Sequence, residues 1–226
     1  MQHTHPDIKQ YESLKALIRD SSNKELECRK FLQYVPNLLV KEPVIQLEYQ
    51  ETDYRGQVGD SDYVISARVK EASGFEHTVA YVWELKAPQC YIFKKETENR
   101  LSPSVELIKA ENQLLHYFEE LKGSEQFRAQ FRVTRQDDVR IGGIIIGSKD
   151  KQVDAKFSVE KTLRLYEKAL QARQHFYRAI DLRLTTWDSV LDFLSPPSSP
   201  DQIPGEPETL DKDAAVLTYS DFSWSG

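Results

Sequence analysis

Two acidic residues and one lysine in this 226-residue sequence have the types and spacing for chemistry. Glu84 and Lys86 flank Leu85 at the end of an apolar run, and Asp62 begins an earlier run of the same kind. Two carboxylates that share a site with water suit Mg²⁺, which takes oxygen ligands and keeps several waters. A neighbouring lysine can orient or help deprotonate a metal-bound water, or stabilise charge on a phosphate. This pattern is typical of a metal-dependent phosphodiesterase.

The elements that must position these residues are two strands of a hairpin. Residues 62–69 and 79–88 are rich in β-branched and aromatic side chains, and the polar segment 70–74 separates them. Because side chains alternate along a strand, Glu84 and Lys86 are expected to share one side of the sheet, and Leu85 the other. We therefore expect a chemical face and a core face.

A structural ion pair on a sheet edge is the alternative explanation of Glu84 and Lys86. An acid two positions before a lysine is common in a chain with 29% charged residues. Only the pair at 84 and 86 combines an apolar strand, a preceding strand that carries an acid, and a following proline. The other occurrences are Asp7 with Lys9, Glu120 with Lys122, and Asp154 with Lys156.

The remaining chain predicts an α/β fold, in which helices cover the faces of a sheet. The fold class that we expect, together with the resemblance described below, is a central mixed sheet flanked by helices. Residues 51–59 and 93–102 are predicted to be polar connections, and Lys94, Lys95 and Arg100 in the second could touch phosphates. Pro36 is predicted to end the second helix. The predicted helices span 7–19, 24–33, 103–121, 158–179 and 187–194, and the further strands span 38–40 with 44–49, 140–147 and 182–186.

Two further polar residues lie on predicted helices, and each has an ordinary explanation. Gln113 on the long helix could face the acidic residues, although an exposed helix glutamine is the commoner case. For Glu25 on the second helix, the spacing alone favours a solvated glutamate.

Composition predicts the compartment of the protein and its division into domains. The net charge is −6, and residues 195–226 hold six acids and one base, which leaves 30 acids against 29 bases for residues 1–194. Two cysteines cannot form a disulfide framework, and no apolar run could span a membrane, so we expect a reduced cytoplasmic protein with no membrane partner. We expect an N-terminal helical extension over 1–24, one domain over 25–194 and a disordered acidic tail over 195–226 that is idle, regulatory or a protein-docking segment.

Five segments together resemble the Shedu group of PD-(D/E)XK nucleases, which have a restriction-endonuclease-like core. They occur in the family order and cover most of the chain. They are residues 25–32 with Pro36, residues 61–65, residues 83–88, residues 100–107 followed by 113–117, and residues 142–147 with 184–188.

The resemblance implies a role for each candidate residue. Asp62 and Glu84 would bind Mg²⁺, with Mn²⁺ as a possible substitute, and Lys86 would be the catalytic lysine. Gln113 would be an accessory active-site residue, and Glu25 a weaker one. The implied activity is endonucleolytic hydrolysis of DNA in defence against phage, by a homo-oligomer that is a dimer or tetramer. A catalytically inactive module on the same fold, which binds nucleic acid or protein, is the alternative.

Overall fold

The computed structural model describes residues 8–55 and 60–195, so most of the predicted tail lies outside the described residues. Seven helices occur in this part of the chain: α1 Ile8–Arg19, α2 Glu25–Arg29, α3 Pro36–Leu39, α4 Val105–Gly123, α5 Glu125–Gln130, α6 Val159–Ala179 and α7 Trp187–Leu194. The strands of the same residues are β1 Val44–Arg55, β2 Asp60–Lys70, β3 Glu76–Leu85, β4 Phe93–Thr97, β5 Arg100–Pro103, β6 Val139–Ile145, β7 Val153–Asp154 and β8 Arg183–Thr185.

The central sheet has five strands in the order β1-β2-β3-β6-β8. β1, β2 and β3 are antiparallel neighbours, whereas β3, β6 and β8 are parallel. Parallel neighbours need crossover connections, and the segment that contains α4 and the segment that contains α6 supply them. The predicted α/β class, the mixed sheet and the hairpin of β2 and β3 are therefore confirmed.

The central strands β2 and β3 are buried on both faces, because helices cover each side of the sheet there. Val64, Ala80 and Val82 pack in a cluster with residues of α4, α5 and α6. Tyr81 and Trp83 point to the other side and pack with residues of α1, α2 and α7. The expected division into a chemical face and a core face is wrong: Glu84 lies at the end of a face that is itself core.

A second, three-stranded sheet follows the hairpin, in the order β5-β4-β7. The sequence predicts a polar connection over 93–102, but β4 and β5 pair there as an antiparallel hairpin. Phe93 and Leu101 are buried, whereas the other β4 side chains are exposed. Two buried positions in a short charged segment are too few to give a strand periodicity.

The region between α1 and β1 also differs from the prediction. The helix predicted over 24–33 ends at Arg29, and a 3-10 turn follows at Leu32–Tyr34. Pro36 does not end a helix but begins α3, because the first helical turn needs no proline N–H. Leu38 and Leu39 are consequently helical and not part of the first strand.

The first strand is also longer than predicted, since β1 extends to Arg55 where a polar connection was expected. α1 contributes Leu14 to the same buried cluster as Trp83 and Trp187, so the predicted N-terminal extension packs against the sheet. None of the described helices is long and apolar enough to cross a membrane.

Candidate functional site

The register of β2 and β3 brings Asp62 and Glu84 together. Tyr63 lies opposite Trp83, so Asp62 and Glu84 are the next facing positions along the two strands. Oδ2 of Asp62 accepts a hydrogen bond of 2.9 Å from the backbone N–H of Leu85. The two carboxyl groups, which are 22 positions apart in sequence, therefore share one end of the hairpin.

Glu84 is almost completely buried, with 1% of its surface exposed. Its Oε1 accepts a hydrogen bond of 2.5 Å from Nζ of Lys86. Burial, reinforced by the charge of Asp62, raises the pKa of Glu84 to about 8, although the Lys86 ammonium acts in the opposite direction. A neighbouring cation would stabilise the ionised form of this carboxyl group.

Lys86 follows the last residue of β3, and its backbone is held on both sides. Its N–H donates to the carbonyl oxygen of Ile145 at 2.8 Å, and its own carbonyl oxygen accepts from Nε1 of Trp187 at 2.7 Å. Burial alone would lower the pKa of Lys86, but the negative charges of Glu84 and Asp62 outweigh burial and raise it. The side chain is therefore a fixed ammonium group.

Glu25 reaches the same place from α2, which packs on the other face of the sheet. Burial, followed by the charge of Asp62, raises the pKa of Glu25, while Lys86 and the backbone N–H of Ala87 lower it. The structure thus brings four of the five predicted catalytic residues into one cluster.

Sequence reasoning missed one member of this cluster, Arg29. Its Nη2 lies 3.5 Å from Oε1 of Glu25 and 3.5 Å from Oδ1 of Asp62, and 5% of the residue is exposed. The spacing of four residues from Glu25 on one helix was the available sign, because residues four apart share a helix face.

Gln113 is half-buried on α4, between the core positions Ala110 and Leu114. Its helix packs on the sheet face that carries Val82 and, at the end of that face, Glu84. Within residues 8–55 and 60–195, no hydrogen bond or ion pair joins Gln113 to the carboxylates. Its accessory role stays a prediction.

The predicted phosphate contacts lie on β4 and β5. Lys94, Lys95 and Arg100 are exposed, but Lys95 forms an ion pair with Glu98, and Arg100 forms one with Glu96. Of these three residues, Lys94 alone has no ion pair within the described part of the chain. Their role in DNA binding stays a prediction.

The oxygen donors fit a hard cation such as Mg²⁺, although no group of three acidic, histidine or cysteine side chains converges as a ready ligand set in the described ranges. Two carboxylates with waters are an ordinary Mg²⁺ environment. Nζ of Lys86 donates hydrogen bonds to Oε1 of Glu84 and, at 3.1 Å, to the carbonyl oxygen of Leu85. Oxygens of both kinds can also bind a metal cation. A positive charge is thus already bound beside the buried carboxylate.

A separate cavity of about 370 Å³ lies between α6 and β8. None of its lining residues belongs to the carboxylate cluster.

Comparison with known proteins places the chain in a family. A search of curated proteins finds no match. The family described as Shedu protein SduA, C-terminal, matches residues 22–191, which include every residue of the cluster. The chain therefore belongs to the family of Shedu SduA C-terminal domains.

Proposed function

We propose that this protein is a Mg²⁺-dependent DNA endonuclease with a restriction-endonuclease-like core. Membership of the Shedu SduA C-terminal family suggests a nuclease role in defence against phage. The observation that supports the finer assignment is the meeting of Asp62, Glu84 and Lys86 at the end of the β2–β3 hairpin. We also propose that the active form is a cytoplasmic homo-oligomer, a dimer or tetramer.

Asp62 and Glu84 would hold the cation through their carboxylate oxygens, and Mn²⁺ could replace Mg²⁺. When bound, such a cation lowers the pKa of its water and neutralises charge on a phosphate. A buried carboxyl group with a raised pKa must lose its proton to act as a ligand, so proton release should accompany metal binding.

Lys86 would act as an ammonium ion. Its raised pKa keeps the proton on Nζ at neutral pH, so the side chain can donate hydrogen bonds but cannot serve as a base in this state. Its fixed backbone limits where Nζ can reach. We assign Lys86 the task of orienting the attacking water or stabilising the negative charge that grows on the phosphate oxygens.

The test is cleavage of plasmid and linear DNA by the purified protein with Mg²⁺, with Mn²⁺ or with EDTA. We expect cleavage with either metal and none with EDTA, and at least roughly a 100-fold loss in the Asp62→Asn and Glu84→Gln variants. Asp154→Asn is the matched control, since Asp154 is an exposed acid two positions before a lysine. Cleavage that persists in EDTA, or in both site variants, would contradict the proposal.

A non-catalytic module that binds nucleic acid or protein is the second candidate. The ion pairs of Lys95 and Arg100 favour it, because they reduce the positive charge available to phosphates. The same assay separates the two candidates: the module would bind DNA in a gel-shift experiment and cleave none with any metal.

A further inference from the structure

The Glu25–Arg29 face of α2 meets the end of the hairpin that carries Asp62. Arg29 is buried, yet its guanidinium contacts two acidic side chains from different elements, Glu25 of α2 and Asp62 of β2. A buried guanidinium is costly to hold unless its charge is paired. The two ion pairs therefore explain how a buried position can hold an arginine.

The contacts fix the orientation of the Asp62 carboxylate. Nη2 of Arg29 lies 3.5 Å from Oδ1, and the N–H of Leu85 lies 2.9 Å from Oδ2. Each oxygen has its own donor, one from a helix and one from the neighbouring strand. The carboxylate is thereby aimed at Glu84 before any cation binds.

We infer that Arg29 is a positioning residue that holds Asp62 and Glu25 in the geometry required for divalent-metal binding. This inference rests on the proposed function. Arg29 does not touch DNA, because only 5% of it is exposed. Its effect must act through the carboxylates that it contacts.

The charges of the cluster support this arrangement. Arg29 forms ion pairs with Glu25 and Asp62, and Lys86 forms one with Glu84. Without Arg29, the side chains of Glu25 and Asp62 would repel each other and move apart. A donor to a ligating carboxylate typically contributes about 10–100-fold to metal affinity.

The experiment measures Mn²⁺ binding to the full chain by electron paramagnetic resonance, without DNA. We expect Arg29→Met to weaken Mn²⁺ binding by about 10–100-fold. Arg29→Lys should give an intermediate loss, because the ammonium group keeps the positive charge but sits on a flexible stem and lacks the rigid, planar guanidinium whose Nη2 contacts both carboxylates. DNA affinity in EDTA, measured by fluorescence anisotropy, should stay unchanged in both variants.

Leu32→Ala is the control for loosened packing. Leu32 is fully buried just after α2, and its side chain has no polar atom that could bond to a carboxylate. Its truncation should therefore lower thermal stability but not Mn²⁺ affinity. Wild-type Mn²⁺ affinity in Arg29→Met, or an equal loss in Leu32→Ala, would overturn the inference alone. Absence of Mn²⁺ binding in the wild type would overturn the proposed metal site and the inference together.

Discussion

At the residue scale, the buried carboxyl group of Glu84 should make stability depend on pH. Its pKa is raised from 4.5 to about 8, first by burial and then by Asp62. The folded protein therefore keeps a proton that the unfolded chain releases above pH 4.5. The resulting stabilisation is complete below pH 4.5 and is lost as the pH rises through about 8.

We predict that, in EDTA, the free energy of unfolding decreases between about pH 5 and 8. In the pH range where the folded protein holds the Glu84 proton and the unfolded chain does not, this group lowers the free energy of unfolding by about 1.4 kcal/mol per pH unit. Urea unfolding at several pH values measures it. Glu84→Gln should remove this contribution, whereas Glu160→Gln, at an exposed position of α6, should keep it. An unchanged slope in Glu84→Gln would show that Glu84 does not bind the proton.

The candidate residues differ in how far sequence could predict them. Asp62, Glu84 and Lys86 could be found because strand alternation and hairpin pairing are local rules. For Arg29, the available sign was its spacing of four residues from Glu25. Its contact with Asp62 spans 33 positions and depends on how α2 packs against the hairpin, so spacing could not predict that contact. Residues that complete a site through tertiary packing leave little trace in spacing.

At the element scale, the glycines of β6 permit close packing against β3. A Cβ at Gly142 would lie 2.2 Å from Nε1 of Trp83, and Trp83 is the buried neighbour of Glu84. The indole also donates a hydrogen bond of 3.2 Å to the carbonyl oxygen of Leu39. Gly142 therefore gives the indole the space that it needs beside the site.

We predict that Gly142→Ala lowers the free energy of unfolding by about 1–3 kcal/mol, because the added methyl group overpacks a filled core. Urea denaturation measures the change. The matched control is Gly123→Ala at the end of α4, where a Cβ meets nothing within 4 Å; it should be neutral or slightly stabilising. A wild-type unfolding midpoint for Gly142→Ala would contradict this explanation of the packing.

The long, periodic elements could be predicted from sequence, and the short ones could not. α4, α6 and α7 begin and end within two residues of the predicted bounds. Four elements have at most five residues each: α2, α3, β4 and β5. In so short an element, too few positions repeat to distinguish a helix from a strand. Their conformations depend on packing against the sheet.

At the scale of the whole molecule, the charge balance bears on the proposed binding of DNA. Residues 1–194 hold 30 acids against 29 bases, so phosphate binding must rely on a local group of cations. Lys94 is exposed without an ion pair in the described part of the chain, whereas Lys95 is paired with Glu98. The acidic residues 196–226 lie outside the described residues, and their regulatory or docking role stays a prediction.

We predict that Lys94→Ala weakens DNA binding more than Lys95→Ala and lowers the slope of log affinity against log salt by about 0.9, the value for one phosphate contact. Fluorescence anisotropy in EDTA at several salt concentrations measures both quantities. Lys70→Ala, at the opposite end of β2 from Asp62, is the control and should change neither. Equal salt slopes in all three variants would contradict the proposed contact between β4 and DNA phosphates.

The measurement that tests the central claim most directly is plasmid cleavage in Mg²⁺ by the wild type and by Lys86→Ala, with Mn²⁺ binding measured on the same samples. We predict that the wild type cleaves, and that Lys86→Ala cleaves about 10²–10³-fold more slowly while it still binds Mn²⁺. Equal cleavage by the two proteins would contradict the proposed mechanism, because the ammonium group beside Glu84 would then have no part in the chemistry.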